Sequence, residues 1–299
     1  MLDRVRELID YDETGTGPTI VLVPGSCSTG AAWRPVISGF KSRFRCVTTS
    51  LLGYGGTAER RSANDSSISH EAEAMEWVIG RAGDRVHLVG HSFGGLVSLA
   101  VALRNRVELA SLTILDAPAI EILPQRNEHL HYRAMRRMTD AYFKSFHDGN
   151  AEAIAAMIDF YGGAGTFVSW PERVRAYAVA TTPVNILDWA SAYGFALSAA
   201  SLSAIDVPTL VVTGSASHPA MHAINAHLGE CIGGAAFAAI PGAAHFMIAT
   251  HSGEVASRIA DHADFVERNR KMKPQRRRLA LSSLPKTARP AAGRPRQAD

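Results

Sequence analysis

The chain has 299 residues, of which 46% are hydrophobic and 20% charged, and its net charge is +3, all ordinary values for a globular protein. No apolar run approaches the roughly 18 residues that a membrane-spanning helix needs, and the charged start of the chain does not resemble a signal peptide. The cysteines, Cys27, Cys46 and Cys231, suit neither a zinc site nor a disulfide framework, so we expect a cytoplasmic protein without a bound metal.

Short apolar runs alternate with helical patterns over residues 1–117, which we interpret as the first part of an α/β core. Continuous apolar runs predict strands that are buried on both faces, as in a parallel sheet. The predicted strands are 19–23, 46–50, 86–89 and 112–115, with a weaker edge strand at 8–11, and the predicted helices are 33–40, 68–81 and 96–103.

The segment 86–95 joins a strand, a Gly-x-Ser-x-Gly turn and a helix. A turn from a strand directly into a helix leaves no room for Cβ atoms at Gly90 and Gly94, and it holds Ser92 strained at the N-terminus of the helix. The free N–H groups at that end favour a developing negative charge. The pattern predicts a nucleophilic Ser92; the alternative is a glycine-rich turn with a solvated serine.

Helical patterns replace strands over residues 118–204. The predicted helices are 129–146, 151–161, 171–180 and 183–198. We expect an inserted all-helical cap whose aromatic residues mostly form its own core, with one or two facing a substrate pocket. These aromatic residues are Phe160, Tyr161, Trp170, Trp189, Tyr193 and Phe195.

Strands return at 209–213 and 235–240, and a helix over 253–268 completes the second part of the core, residues 205–268. Alternating strands and helices predict an α/β fold with a mostly parallel central sheet and helices on both faces. In such sheets the functional site lies at the carboxyl ends of the strands. The loops that follow strands are 24–30, 52–57, 90–95, 214–219 and 241–246, together with Asp116.

The last part of the chain is strongly basic. From Arg270 to Asp299 there are ten Lys or Arg and one acid, a net charge of +9, which leaves residues 1–269 with −6. This segment is rich in Pro and Arg and poor in aromatics, so it cannot bury enough apolar surface to order itself. We predict a disordered basic tail over 269–299, a solvated extension rather than a binding site for an anionic partner.

Four segments resemble motifs of the α/β-hydrolase fold family, in particular of its bacterial members with a helical cap. They are 21–26 (VLVPGS), 52–57 (LGYGGT), 89–95 (VGHSFGG) and 240–246 (IPGAAHF), and the resemblance covers residues 19–268. It implies an α/β-hydrolase fold in which Ser92 is the nucleophile and His245 the general base. It also implies an oxyanion hole formed by the main-chain N–H groups of Ser26 and Phe93.

The chain departs from the family pattern at three positions. Pro24 replaces a histidine in the oxyanion segment, and Ser50 replaces an aspartate that opens the glycine-rich loop. Ser217 stands where the family usually has the acid that orients the catalytic histidine. A hydroxyl carries no charge with which to stabilise an imidazolium, so another carboxylate must approach His245 or the site works as a dyad.

We predict that the acid is Asp116, at the carboxyl end of the strand that follows the elbow helix, where some members of the family place it. The alternative is a structural aspartate that caps the following turn. Glu121 and Asp188 are more distant candidates for the acid. His91, beside the nucleophile, should point into the sheet packing rather than act as the base.

A serine nucleophile implies acyl transfer, whereas the haloalkane dehalogenases and epoxide hydrolases of this fold use aspartate. The resemblance therefore implies a carboxylesterase-like serine hydrolase that acts on a small ester-like molecule without a cofactor. The alternatives are a ligand-binding protein that has lost turnover and a cofactor-free perhydrolase. No nucleic-acid or membrane partner is expected, since the predicted core is acidic and has no base-reading motif. The oligomeric state is open.

Overall fold

A computed structural model describes residues 8–83 and 85–282, with side chains described as far as Arg270. In this part of the chain the strands are β1 Asp12–Thr14, β2 Thr19–Val23, β3 Arg45–Thr48, β4 Val86–His91, β5 Leu109–Leu115, β6 Thr209–Gly214 and β7 Ala236–Ile240. They form one sheet in the order β1-β3-β2-β4-β5-β6-β7. Only β1 is antiparallel to its neighbour, so the predicted mostly parallel sheet is confirmed.

The edge strand was predicted at 8–11, and this prediction was wrong, because the main chain of that segment bonds elsewhere. The Leu8 carbonyl accepts a hydrogen bond of 2.9 Å from the Ala58 N–H. The Asp10 N–H donates one of 3.0 Å to Thr57 Oγ1. These groups are taken by the glycine-rich loop, so pairing with β3 starts only at the beginning of β1.

The other predicted strands are confirmed within a few residues, and their side chains alternate between two buried layers. Ile20 and Leu22 of β2 belong to one hydrophobic cluster, and Val21 and Val23 belong to the other. A strand that is apolar on both faces must be covered on both sides. The continuous apolar runs of the sequence therefore follow from the position of β2, β4, β5 and β6 inside the sheet.

Helices cover both faces of the sheet, as predicted. The short helix α1 (Arg34–Gly39), which follows a 3₁₀ turn, and the last helix, α13 (Ser252–Ser282), share one buried cluster. The helices α2 (Ser69–Ala82), α3 (Phe93–Arg104) and α11 (Pro219–Cys231) share the other. A short helix, α12 (Met247–Thr250), precedes α13.

Seven helices connect β5 to β6 in the stretch predicted to be a cap. They are α4 Ile122–Gln125, α5 His129–His147, α6 Ile154–Gly162, α7 Thr166–Ser169, α8 Glu172–Ala180, α9 Thr182–Gly194 and α10 Ala199–Ser203. The predicted helix 183–198 ends early because Phe195 is extended and Ser198 caps a new helix. The Ser198 hydroxyl accepts a hydrogen bond from the Ser201 N–H, and the Ser201 hydroxyl bonds back to the Ser198 N–H.

The last helix is longer than the predicted 253–268, so the prediction of disorder was wrong for 269–282. That prediction considered only burial, whereas a helix satisfies its own main-chain groups, and Lys, Arg, Gln, Leu and Ala are good helix formers. The remainder of the predicted tail, 283–299, lies outside the described residues. Within the part of the chain that the structure describes, none of the helices has the length and apolarity to cross a membrane.

Candidate active site

The turn between β4 and α3 has the geometry of a nucleophile elbow. Ser92 lies between the two elements with φ 54° and ψ −128°, a strained conformation for a residue with a side chain. A Cβ atom on Gly90 would lie 2.3 Å from the Gly94 carbonyl oxygen, and one on Gly94 would lie 2.2 Å from the Pro24 carbonyl oxygen. Glycine is required at both positions because strand, helix and neighbouring loop approach so closely.

The structure brings Ser92, Asp116 and His245 together at the carboxyl edge of the sheet. These residues follow β4, β5 and β7 respectively. The His245 Nε2 atom is 2.8 Å from Ser92 Oγ, and its Nδ1 atom is 3.3 Å from Asp116 Oδ2. Both the histidine and the aspartate are buried. In this arrangement a carboxylate can orient an imidazole while the imidazole takes a proton from the serine.

The Asp116 carboxylate has hydrogen-bond donors on both oxygens. Thr213 Oγ1 donates to Oδ1 at 2.7 Å, and Ser217 Oγ donates to Oδ2 at 2.5 Å. Burial opposes ionisation, but the hydrogen bonds from His245, Ser217 and Thr213 outweigh it and hold the pKa of Asp116 below its usual value. Ser217, at the position where the family usually has the acid, therefore acts as a donor to the carboxylate.

The other carboxylates considered from the sequence are engaged elsewhere. The Tyr132 hydroxyl donates to Glu121 at 3.3 Å. Asp188 lines the same cavity as His245, but its hydrogen bonds come from Ser26 and other groups of the core. Neither is hydrogen-bonded to His245 in the described part of the chain.

The two residues predicted to supply the oxyanion hole, Ser26 and Phe93, line the same cavity as Ser92. Phe93 is the first residue of α3, where the N–H has no partner inside the helix. Ser26 lies in the loop after β2, and a Cβ atom on its neighbour Gly25 would lie only 2.9 Å from the Ser92 Cβ. Among the described residues the Ser26 N–H donates to no acceptor. Both N–H groups are therefore available to a ligand at Ser92.

The His245 ring contacts the rings of His91, Tyr161 and Phe246. The Tyr161 ring, from α6, is stacked on it with centroids 4.3 Å apart. His91 donates its Nε2–H to the His245 carbonyl oxygen at 2.7 Å. Burial and the neighbouring His245 lower the pKa of His91 to about 3, so this ring stays neutral. His91 is thus buried and holds the main chain of the His245 loop.

A cavity of ≈ 50 Å³ opens onto Ser92 and His245 between the core and the helical segment. Of the six aromatic residues of the predicted cap, of which one or two were expected to face a pocket, three line the cavity: Tyr161, Trp170 and Trp189. Its complete lining is Ser26, Cys27, Ser92, Phe93, Pro118, Met157, Ile158, Tyr161, Trp170, Asn185, Asp188, Trp189, Ala192, His245 and Phe246. The wall is thus mostly apolar and contains no Lys or Arg.

A buried ion cluster, which sequence reasoning did not find, lies behind this wall. Arg61 is within 2.8 Å of both Glu59 and Asp188 and within 3.3 Å of Glu71. The Asp188 carboxylate also accepts a hydrogen bond of 2.6 Å from the Tyr54 hydroxyl. Burial raises the pKa of Asp188, although Arg61 and the hydrogen bonds favour its ionised form. The only sequence signal was that Asp188 is the one charged residue of its helix.

Within the ranges that the structure describes, no group of three or more His, Cys, Asp or Glu side chains is placed to hold a metal ion. Besides Ser92 and His245, the cavity wall has polar side chains at Ser26, Asn185 and Asp188.

A mostly parallel sheet that carries a serine elbow at its carboxyl edge is the architecture of the α/β hydrolases. The alpha/beta hydrolase family matches residues 20–258, and the chain belongs to this family.

Several relatives match a shorter part of the chain. Haloalkane dehalogenase 2 of Mycobacterium bovis is 35% identical over 104 residues, which are 34% of this chain and 36% of the relative. A pimeloyl-(acyl-carrier protein) methyl ester esterase of Aliivibrio salmonicida is 31% identical over 109 residues, 36% of this chain and 40% of the relative. A putative carbamate hydrolase of Agrobacterium fabrum is 30% identical over 100 residues, 33% of this chain and 38% of the relative. The chain therefore spans less than half the length of these relatives.

Solved structures agree over most of the chain. MenH from S. aureus has a TM-score of 0.70 at 17% identity and covers 86% of this chain and 98% of its own. The enol-lactonase from Burkholderia xenovorans LB400 has a TM-score of 0.67 at 19% identity and covers 85% of this chain and 95% of its own. These similarities show the α/β-hydrolase fold.

Proposed function

We propose that this protein is a serine hydrolase that transfers the acyl group of a small ester to water. The observation that carries the proposal is the 2.8 Å distance between Ser92 Oγ and His245 Nε2, with Asp116 on the other side of the imidazole. A serine hydroxyl is a poor nucleophile until a base takes its proton, and His245 is in position to be that base. The proposed reaction uses only groups of the chain and water.

In the proposed mechanism Ser92 Oγ attacks the ester carbonyl carbon while His245 Nε2 takes its proton. The N–H groups of Ser26 and Phe93 stabilise the oxyanion of the tetrahedral intermediate, and Asp116 stabilises the imidazolium. The imidazolium gives its proton to the leaving alcohol, which leaves an acyl group on the serine. A water molecule, deprotonated by His245, then attacks this ester, releases the acid and restores the serine.

A compact, uncharged acyl group suits the cavity best. Its ≈ 50 Å³ is well below the roughly 150 Å³ of an apolar cavity that holds benzene. The mostly apolar wall favours an aliphatic acyl chain. A substrate carboxylate is disfavoured, because Asp188 lines the cavity and no Lys or Arg does. We therefore propose acetyl to butyryl esters as the substrate class.

Two of the relatives support this reaction type, since they are named for a methyl ester and a carbamate, both of which contain an acyl carbon. We do not propose the reaction of the dehalogenase relative for this chain. Haloalkane dehalogenases of this fold use an aspartate nucleophile, whereas this chain has Ser92 at the elbow.

The proposal is tested with a fluorophosphonate probe and a series of p-nitrophenyl esters. The wild-type protein should be labelled on Ser92 and should hydrolyse the acetate and butyrate esters faster than the octanoate. Ser92→Ala should abolish both labelling and turnover, because among the described residues Ser92 is the nucleophile that is hydrogen-bonded to His245 Nε2. Labelling or turnover that survives in Ser92→Ala contradicts the proposal. A wild-type protein that binds esters without hydrolysing them supports a ligand-binding protein instead.

A further inference from the structure

A carboxylate from the helical segment reaches the loop that carries one oxyanion donor. Asp188 lies on α9, and its Oδ2 atom accepts a hydrogen bond of 2.5 Å from the Ser26 hydroxyl. The same oxygen accepts the hydrogen bond from Tyr54, and Oδ1 accepts one of 2.8 Å from Arg61. Asp188 is 2% exposed although it lines the cavity. One buried carboxylate thus joins three segments of the core at the edge of the site.

The contact with Ser26 restrains the part of the loop that matters for the reaction. An oxyanion donor is effective when it lies about 2.7–3.1 Å from the oxyanion, so a small displacement of the loop reduces its effect. A hydrogen bond from a hydroxyl to a carboxylate is roughly twice as strong as one between neutral groups. Such a bond at the Ser26 side chain fixes the direction of the N–H group of the same residue.

We propose that Asp188 is a positioning residue for the oxyanion hole and acts through the Ser26 hydroxyl. This inference rests on the proposed function. The docking of α9 on the core then completes the oxyanion hole, so the helical segment contributes to the rate of the reaction as well as to the shape of the cavity. Asp188 takes no part in proton transfer, because its partners do not include His245.

Two substitutions act on the contact from opposite sides: Asp188→Asn removes the charge of the acceptor, and Ser26→Ala removes the donor. Asp188→Asn and Ser26→Ala should each lower kcat for p-nitrophenyl acetate by about 10- to 100-fold, somewhat less than the ~10²–10³ lost with a whole oxyanion donor. KM should change less than about threefold, because the contact acts on the transition state. The double variant should be within about threefold of the slower single variant, since both changes remove the same contact.

Ser191→Ala is the matched control. Ser191 is also buried on α9; its hydroxyl donates to the Ser66 carbonyl and accepts a hydrogen bond of 3.4 Å from Arg61, so it too connects the helix to the core and to the same ion cluster. It is not part of the cavity wall and does not contact Ser26. We expect a lower Tm for this variant with kcat within about twofold of the wild type, because it loses hydrogen bonds between α9 and the core while the bond between Asp188 and Ser26 stays in place.

The possible outcomes separate the inference from the proposed function. A wild-type kcat in Ser26→Ala overturns the inference, even where Asp188→Asn does not fold. Losses that add in the double variant, or an equal loss in Ser191→Ala, overturn it as well, because they indicate a general loosening of α9. A wild-type protein without Ser92-dependent turnover overturns the proposed function, and the inference with it.

Discussion

At the scale of single residues, the carboxylate next to His245 comes from a different strand than the family pattern indicates. The strands β5 and β6 are parallel neighbours in which Leu115 pairs with Val212, so the residues that follow the two strands lie side by side. Asp116 follows β5 and reaches the imidazole. Ser217, after β6, donates its hydrogen to the same Asp116 oxygen that contacts the histidine. Asp116 and Ser217 thus both belong to the site: Asp116 supplies the carboxylate next to His245, and Ser217 supplies a hydrogen-bond donor to it.

Asp116→Asn should lower kcat by a factor of about 10³–10⁴, because an amide neither holds the imidazole tautomer nor stabilises the imidazolium. Steady-state kinetics with p-nitrophenyl acetate measures the loss, and circular dichroism checks the fold. Ser217→Ala is the control: it removes one donor to the carboxylate, leaves the contact with His245, and should cost less than about tenfold. Adding Ser217→Asp to Asp116→Asn should restore part of the rate. An Asp116→Asn variant that keeps more than about a tenth of kcat shows that this residue is not the acid.

A similar redistribution occurs at the glycine-rich loop. Ser50 replaces the aspartate of the family pattern, but the Ser50 hydroxyl donates to Asp10 Oδ2 at 2.8 Å. The same oxygen accepts the Gly56 N–H at 2.8 Å. The carboxylate that holds this loop therefore comes from the segment before β1. This also explains why that segment is not itself a strand.

At the scale of elements, the ion cluster around Arg61 connects α2, the glycine-rich loop and α9. One guanidinium faces three carboxylates, Glu59, Glu71 and Asp188. Three ionised carboxylates would leave the buried cluster with an excess of negative charge. Burial, reinforced by Asp188 and only partly offset by Arg61, raises the pKa of Glu71 to about 8.

The raised pKa of Glu71 makes stability depend on pH with a defined sign. The folded protein holds a proton at Glu71 up to about pH 8, whereas the unfolded chain loses it near its ordinary value of 4.5. The stabilisation that this proton gives is complete below about pH 4.5 and is lost as the pH rises towards 8. The Glu71→Gln variant has no ionisable group at this position. Its free energy of unfolding, measured by urea unfolding, should therefore rise relative to that of the wild type between pH 5 and pH 8.

Met75→Leu, a substitution at a buried position of the same helix, is the control for this prediction. Its difference from the wild type should stay constant over the same pH range, because neither side chain ionises. A constant difference for Glu71→Gln as well would show that Glu71 is ionised in the folded protein at neutral pH.

At the scale of the whole molecule, charge and core are separated along the chain. The last buried side chain of α13 in the described part is Val266, and residues from Arg270 onward carry +9. Truncation after Arg270 should therefore change Tm by only a few degrees and leave kcat unchanged, since no described core contact is removed. Differential scanning calorimetry and esterase assays measure both. A fall in Tm of more than about 10 °C would show that the removed segment packs on the core.

The sequence by itself determined the class of fold and the positions of the proposed nucleophile, Ser92, and the proposed base, His245. Apolar runs report burial on both faces of a strand, and the glycines around Ser92 report close approach of main chains. Both are local requirements, so a few consecutive residues are enough to predict them. The His245 segment was equally local, since its motif directly follows the last strand. The structure places Asp116 beside His245, and the sequence indicated this position only by extending the same logic to the end of β5, the strand next to that of Ser92.

Only the tertiary structure decided which distant groups share a hydrogen bond. The contact of Asp188 with Ser26 joins residues 162 positions apart, and it depends on how α9 docks on the core. The hydrogen bond between Ser50 and Asp10 depends in the same way on where the chain enters the sheet. No local pattern encodes either contact, because a buried acid looks the same in sequence whether its partner is a nearby arginine or an oxyanion loop on another element. The physical reason is that pairing of buried polar groups is set by packing, which brings together segments that have no fixed spacing along the chain.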